Sequence, residues 1–542
     1  PTPLPSSNNS TTDRLISASA LARIQANNVV RVGVLFNQPP FGELNIRGEV
    51  VGYDADLARA LAATWEVEIE FVQVTRQTAH DMLLTNQIDL LIAAQVHRRQ
   101  HEDVIEYSQP YFLGEQAMMV RLDEAAANLN DMANRRIGVV IATSSEQAAR
   151  YWQTRTGLPA TIQPYLTIDQ ALVALVNNEV DGVVDKRYRL RELLQPDTMR
   201  VIDGTVQPEP YAIALRRQDA SLRHLVNHTL QFLATNGRIA EIHAAHFPFQ
   251  YPENTIRLWD DLGDTAPTLT TYQTQVVFPE QYTIPQMQTN GVLRIAGVPQ
   301  PIPDAPESER RLAQANAELG RALAARWNVT AQFIPGTTDD PAGAVARGDA
   351  DIALGVRPSW QAINQVDFTD AYLLRGKRLM TTVREDITSL SELRGKWVGV
   401  FAAEPEAADL VIDLGQSVNA NLRTFTITRE DAAAVEMLEE NNVDVVFGDS
   451  LRLLPHIQAD PETLKFSDRC PNCDPWYTRD YYALAVPPHD VDFRLLTQYT
   501  LQELALSGTL AGVLQPVTVP GQGLSPIITP GDTTYQEINF GA

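Results

Sequence analysis

Cysteine is nearly absent: the chain of 542 residues holds two, Cys470 and Cys473. That excludes a scaffold built on disulfides, and a zinc site, which needs about four ligands, is not expected because no second ligand pair sits at suitable spacing. The pair lies in Cys-Pro-Asn-Cys with Pro475 close behind. A small loop disulfide is therefore expected ahead of a redox motif, which needs a strand before it and a helix after it. Positive charge is also scarce. Lys and Arg number 43 against 67 Asp and Glu, a net charge of −24. Nucleic-acid phosphates and anionic lipid both call for clustered Lys and Arg, so neither is an expected partner. No apolar run approaches the roughly 18 residues of a membrane span. Neither a Gly-x-Ser-x-Gly elbow nor a phosphate-cradling glycine loop occurs, and the chain is not expected to be an enzyme. No cofactor or metal is expected.

What is present is an ordinary globular balance, 44% hydrophobic and 20% charged. The length suits three or four units of about 150 residues. Residues 1–12, rich in Pro, Ser, Thr and Asn, read as a flexible tether. The chain starts at Pro1 rather than Met, which reads as a processed or trimmed terminus. Residues 518–542 are rich in Pro, Gly and Thr and read as a surface tail.

A long-period repeat organises the rest. Leu57-Ala-Arg-Ala-Leu-Ala-Ala-Thr-Trp-Glu-Val67 recurs as Leu319-Gly-Arg-Ala-Leu-Ala-Ala-Arg-Trp-Asn-Val329, identical at eight of eleven positions at an offset of 262. Asp89-Leu-Leu-Ile answers Asp351-Ile-Ala-Leu, Tyr107-Ser108 answers Phe368-Thr369, and the run ending in Asp185 answers that ending in Asp449. Two modules are expected, at 13–250 and 287–517, the second divergent, joined by a linker at 251–286. In the first copy, β-branched runs alternate with segments of helical spacing: strands at 29–35, 69–74, 90–93, 136–141, 162–165, 182–184 and 211–216, helices at 54–65, 81–86, 146–154, 168–177 and 220–234. That order predicts two α/β lobes with a ligand cleft beyond the carboxyl ends of the strands.

Several residues then carry a resemblance: Pro39-Pro40-Phe41, Gly52-Tyr53-Asp54, Tyr107-Ser108-Gln109-Pro110-Tyr111, Gly138 to Ser144, and Asp181 to Asp185. In order and spacing they resemble the extracellular solute-binding proteins that recognise polar amino acids for ABC importers. The resemblance implies an α/β fold of two tandem bilobed periplasmic-binding-protein-like (type II, clamshell) modules, each with two α/β lobes and a two-strand hinge. It implies lobes at about 29–120 plus 207–250 and 121–206, closing around ligand. It also implies that Asp185 accepts the ligand ammonium, the plain alternative being a cap on the next turn. Thr143 and Ser144 would donate to the ligand carboxylate, the alternative being an ordinary N-cap. The family's carboxylate-clamp Arg falls on His101, with Arg98 and Arg99 on the same turn as substitutes or as a solvated face. Where the family offers a hydroxyl, this chain has Val96. Two positions that carry aromatics in many members are Arg76 and Gln38, which hints at an acidic or strongly polar ligand. Tyr53, Phe41 and the strand exit at Ala94 complete the expected pocket, with Phe41 read as packing.

The second copy has lost the Pro-Pro-Phe loop and the hydroxyls of the Thr143 region. Asp449, Arg357 and Trp360 are its remaining candidates, for an altered or degenerate site. The expected function is capture of a small polar solute, an amino acid or related zwitterion, outside the membrane. The expected partner is an ABC permease, with a lipid anchor ahead of residue 1. A tandem sensor region of a membrane signalling protein, and a degenerate pair binding a protein or another solute, stand as alternatives.

Overall fold

The structure, a computed structural model, describes residues 19–248, 255–299, 306–385, 387, 389–428, 431–467 and 476–518. Cys470 and Cys473, the tether at 1–12 and all of the tail except Thr518 lie outside the described residues. The chain divides into two compact units. Among the described residues, the first holds those up to 248, Thr255–Leu258 and 262–278; the second holds Trp259–Asp261 and those from Pro279 to Thr518.

In the first unit, strand Val29–Val34 pairs in parallel with Glu68–Gln73 and with Leu90–Leu91. Helix Tyr53–Thr64 covers this sheet; it buries Leu57, Ala58 and Leu61, the apolar residues at helical spacing. A second parallel set joins Arg136–Val140 to Thr161–Tyr165 and Gly182–Lys186. Helices Ser144–Thr156 and Ile168–Val176 flank it. Trp152, 1% exposed, fills the core of this second lobe against Met118, Ile137 and Val184. Two antiparallel strands, Ile105–Arg121 and Gln207–Arg216, run through both halves. One nine-stranded sheet results, with these two at its middle. They are the hinge of a two-lobed α/β clamshell.

Most expected elements stand close to where the periodicity puts them, while strand Ile105–Arg121 and helices Arg187–Glu192 and Arg238–His246 are not among the expected ones. Three of the expected segments also differ. The strand at Leu90 is two residues long, because Ala94 turns left-handed at φ 44° and takes the chain out of the sheet. The strand ending in Asp185 extends to Lys186, so Asp185 stands inside it. A helix, Thr283–Asn290, begins within the stretch read as linker.

The second unit repeats the first in its hydrogen bonds. Trp65 Nε1 donates to Thr229 Oγ1 at 2.8 Å, and Trp327 Nε1 to Thr500 Oγ1 at 2.9 Å. Asp89 accepts from the backbone and guanidinium of Arg31, and Asp351 likewise from Arg294. The Tyr111 hydroxyl donates to Asp54, and that of Tyr372 to Asn316. Buried polar groups tolerate little drift because an unmatched partner costs about 1–3 kcal/mol, so these pairs persist where surface residues have changed. In this unit the two lobes hold separate sheets. Strand Leu373–Arg375 pairs with Asp480–Val486, and Lys377–Thr382 then pairs with Val445–Asp449 in the other sheet. The break falls at Gly376, where a Cβ would lie 2.0 Å from the Thr478 carbonyl oxygen.

Candidate functional site

In the first unit the carboxyl end of strand Gly182–Lys186 faces the N-terminus of helix Ser144–Thr156 and the middle of the hinge. Asp185 pairs in register with Ala117, and Lys186 with Gln116, on the long hinge strand. Gln116 pairs in turn with Gln207 on the other hinge strand. These registers bring two hydrogen-bonded sets of side chains together, Ser145 with Asp185 and Ser144 with Gln116 and Glu209, joined into a network by the adjacent residues Ser144 and Ser145. Ser145 Oγ donates to Asp185 Oδ1 at 3.1 Å, and the Lys186 backbone N–H donates to the same oxygen at 2.7 Å. Gln116 Nε2 donates to Ser144 Oγ at 3.1 Å and to Glu209 Oε1 at 3.0 Å. Arg189 lies 3.5 Å from the other Asp185 oxygen.

Asp185 is 4% exposed and Glu209 is 1% exposed. Three buried oxygens of this network, Asp185 Oδ2, Glu209 Oε2 and Gln116 Oε1, have no hydrogen-bond donor among the described residues. Buried acceptors are nearly always satisfied in a folded protein, and two carboxylates in one network are costly without a donor. Lys186 adds a cation to the region, beside Arg189. Its Nζ sits 5.6 Å from the Tyr211 ring and 6.0 Å from that of Tyr188. Burial pulls the Lys186 ammonium below the usual lysine range, while Glu209 and Asp185 act to hold the charge.

The other expected residues fall into distinct places. Thr143 is the N-cap residue of its helix in backbone conformation, but its hydroxyl donates back to Val140 O at 2.6 Å and makes no capping bond. Ser144 joins the network through Gln116. Arg76 Nη2 donates to Gln38 Oε1 at 3.1 Å on the first lobe. The Arg76 charge also acts on Lys186 of the second lobe, depressing its ammonium further, so the two cations face one region. Phe41 and Tyr53 are buried in an aromatic cluster with Phe112, Tyr211 and Phe247. Arg98 precedes a 3-10 turn, Arg99–His101. His101 packs edge-on against His80 at 4.7 Å. Burial, then His80 and Arg98, pull its ring below the usual imidazole range. A neutral imidazole gives a carboxylate no charge, whereas an arginine keeps its charge throughout the physiological range.

Ala94 anchors a buried group beneath this turn. Its N–H donates to Asp54 Oδ2 at 2.6 Å, and the Tyr111 hydroxyl donates to Asp54 Oδ1 at 2.7 Å. Burial outweighs both bonds and pushes the Asp54 carboxyl up from 3.8 to about 7. An acid raised on folding binds a proton in the native state that the unfolded state has already lost. Stability should therefore fall as pH rises from about 4 to about 7 and level off above that. Urea midpoints measured across this range should show the decline in the wild type and a flatter profile in Asp54→Asn. Equal slopes in the two proteins contradict the assignment.

In the second unit Asp449 is held by Arg375, whose Nε lies 2.9 and 3.1 Å from its two oxygens and whose Nη2 lies 2.6 Å from Oδ2. Asp449 also caps helix Ser450–Ala459 by accepting from Leu451 N. Arg357 pairs with Asp260 and Asp480, and Trp360 stacks on Trp259.

Sequence reasoning missed Lys186, Gln116 and Glu209. A lysine ending the apolar run Gly182-Val-Val-Asp-Lys186 was a visible signal. Gln116 and Glu209 meet only through the hinge register, 93 positions apart. His224 and His228 stand one helical turn apart, a spacing two metal ligands can use. Among the described residues, however, no group of three or more His, Cys, Asp or Glu is placed to hold a metal ion. No described helix is long and apolar enough to cross a membrane.

Residues 30–249 match the sequence model of the bacterial extracellular solute-binding proteins, family 3. The amino-acid-binding protein AabA of Dichelobacter nodosus is 26% identical over 215 residues, covering 39% of this chain and 84% of that protein. A glutamine-binding protein of Geobacillus stearothermophilus is 25% identical, covering 38% of this chain and 80% of its own length. Among solved structures, a polar amino acid ABC uptake transporter substrate binding protein from Streptococcus thermophilus is 20% identical. It covers 44% of this chain and 93% of that one, with a TM-score of 0.38. Over residues 30–249 the chain is thus similar to the bacterial extracellular solute-binding proteins, family 3.

Proposed function

We propose that the first module captures a small polar amino acid, or a related zwitterion, between its lobes and presents it to an ABC permease outside the cytoplasmic membrane. A lipid anchor ahead of residue 1 would keep it there. The observation that carries this reading is the set of donor-less buried oxygens on Asp185, Glu209 and Gln116. An ammonium has three donors and no acceptor, which is the complement such a set requires. Asp185 Oδ2 and Glu209 Oε2 take the ammonium. Lys186, Arg76 and the turn at Arg98 supply cations for the carboxylate and for a polar or acidic side chain. Ser144, Thr143 and the helix N-terminus supply further donors. Closing the lobes brings Arg76 and Gln38 onto the ligand from the opposite side, and binding needs no chemical step.

Thermal-shift titration of the full chain against the common amino acids tests this. Ligand at about 100 times its Kd stabilises the bound unit by about 2.7 kcal/mol, a readable shift. The expected result is a shift with one or a few polar or acidic amino acids. A flat response across the panel contradicts it.

A further inference from the structure

We infer that the second module carries a recognition site for a carboxylate flanked by an aromatic ring, and that the chain's own segment Trp259–Asp261 is its ligand. The site lies on the turn that follows strand Ile352–Val356. Each of three consecutive side chains of the segment has its own partner there. Asp261 Oδ2 accepts from Ser359 Oγ at 2.6 Å and from Gln361 N at 3.0 Å, and its Oδ1 accepts from Trp360 N at 2.9 Å. Asp260 pairs with Arg357, whose Nη2 also donates to Asp480 Oδ1 at 2.9 Å. Trp259 stacks on Trp360 with ring centroids 4.1 Å apart and 29° between planes, and meets Phe368 edge-on at 5.5 Å.

Three donors on one carboxylate, two of them backbone N–H groups, are how a free carboxylate is held. The corresponding turn of the first module is the one on which the sequence places the carboxylate clamp. Both turns follow a left-handed residue, Ala94 at φ 44° and Gly355 at φ 70°. Counted from there, Arg357, Ser359 and Trp360 stand where the first module has Val96, Arg98 and Arg99. The second module has thus exchanged an apolar residue for a cation, an arginine for a hydroxyl, and a second arginine for an indole. Each change matches one residue of the segment: Arg357 for Asp260, Ser359 for Asp261, Trp360 for Trp259. The carboxylate seat of the second module is therefore filled by its own chain. A free solute competes with a tethered carboxylate whose local concentration is set by the connection, typically millimolar for a short one.

Amide exchange on the full chain tests this at the Trp360 and Gln361 N–H groups. In the wild type both should be protected, and Asp261→Ala should speed their exchange at least tenfold. A peptide of sequence Arg-Leu-Trp-Asp-Asp-Leu, capped at both ends and added at several millimolar, should restore protection in Asp261→Ala. The same peptide with its second Asp replaced by Asn should not. Unprotected amides in the wild type, or unchanged exchange in Asp261→Ala, overturn the seating of the segment. Failure of the peptide to restore protection overturns recognition and leaves a contact enforced by connectivity. Should Asp261→Ala unfold the second unit, Asp261→Asn supplies the same comparison with the side-chain shape kept. None of these outcomes depends on what the first module binds.

Discussion

Asp185→Asn should weaken solute binding by the first module about a hundredfold or more, with the unfolding midpoint almost unchanged. The asparagine keeps an oxygen to accept from Ser145 Oγ and Lys186 N, the two bonds that hold Asp185 Oδ1. What it loses is the charge on the oxygen that has no hydrogen-bond donor among the described residues, and it presents an N–H₂ where the ligand ammonium needs an acceptor. Hydrogen bonds to charged groups contribute about 1.5–3 kcal/mol, and truncating one partner of a buried charge pair costs more. A hundredfold loss corresponds to about 2.7 kcal/mol. Calorimetric titration of both proteins gives the affinities, and urea unfolding gives the stability. Unchanged affinity in a folded Asp185→Asn removes Asp185 from the site. A large stability loss assigns it instead to the helix cap.

The corresponding aspartate of the second module should behave in the opposite way. Arg375→Met should destabilise that unit by about 3–5 kcal/mol, because it strands the buried Asp449 carboxylate without its cation. Arg375 keeps its proton strongly. Burial alone would lower it, but Asp449 together with Tyr482 more than reverses that pull. The double variant Arg375→Met/Asp449→Asn should recover much of the loss, since the stranded charge is then gone. Amide exchange along strand Val445–Asp449 in urea reads the stability of this unit separately from the first. A change under about 1 kcal/mol in Arg375→Met contradicts a structural pairing of Asp449 and returns it to the pool of ligand groups.

The same contrast explains how far the sequence could be read. Strands such as Val29–Val34 and helices such as Tyr53–Thr64 follow from local periodicity, so they stand where the pattern puts them. The repeat is legible because Trp65 and Trp327 each need a buried hydroxyl, Thr229 and Thr500, and the whole helix around them is constrained. Asp185 is singled out by the resemblance and by its place near the end of an apolar strand, and its part in binding is the proposal tested above. Its neighbours in the network are not singled out, since Gln116 and Glu209 lie on antiparallel hinge strands whose register depends on bulges near Tyr211 and Ala212. The fate of Asp449 was hidden for a similar reason: Arg375 reaches it across the gap between two sheets. Trp259–Asp261 lies in a stretch without periodicity, where no local pattern announces a partner 100 residues further on.

The central claim is that the oxygens of Asp185, Glu209 and Gln116 await an ammonium. Calorimetric titration of the wild-type chain with its amino acid, and with the N-acetyl derivative of the same amino acid, tests that claim most directly. Acetylation removes the ammonium and leaves the carboxylate and side chain in place. The account predicts tight binding of the amino acid and at least a hundredfold weaker binding of the acetylated form. Equal affinity for the two would mean that the network does not read the ammonium, and the assignment of this site would fall with it.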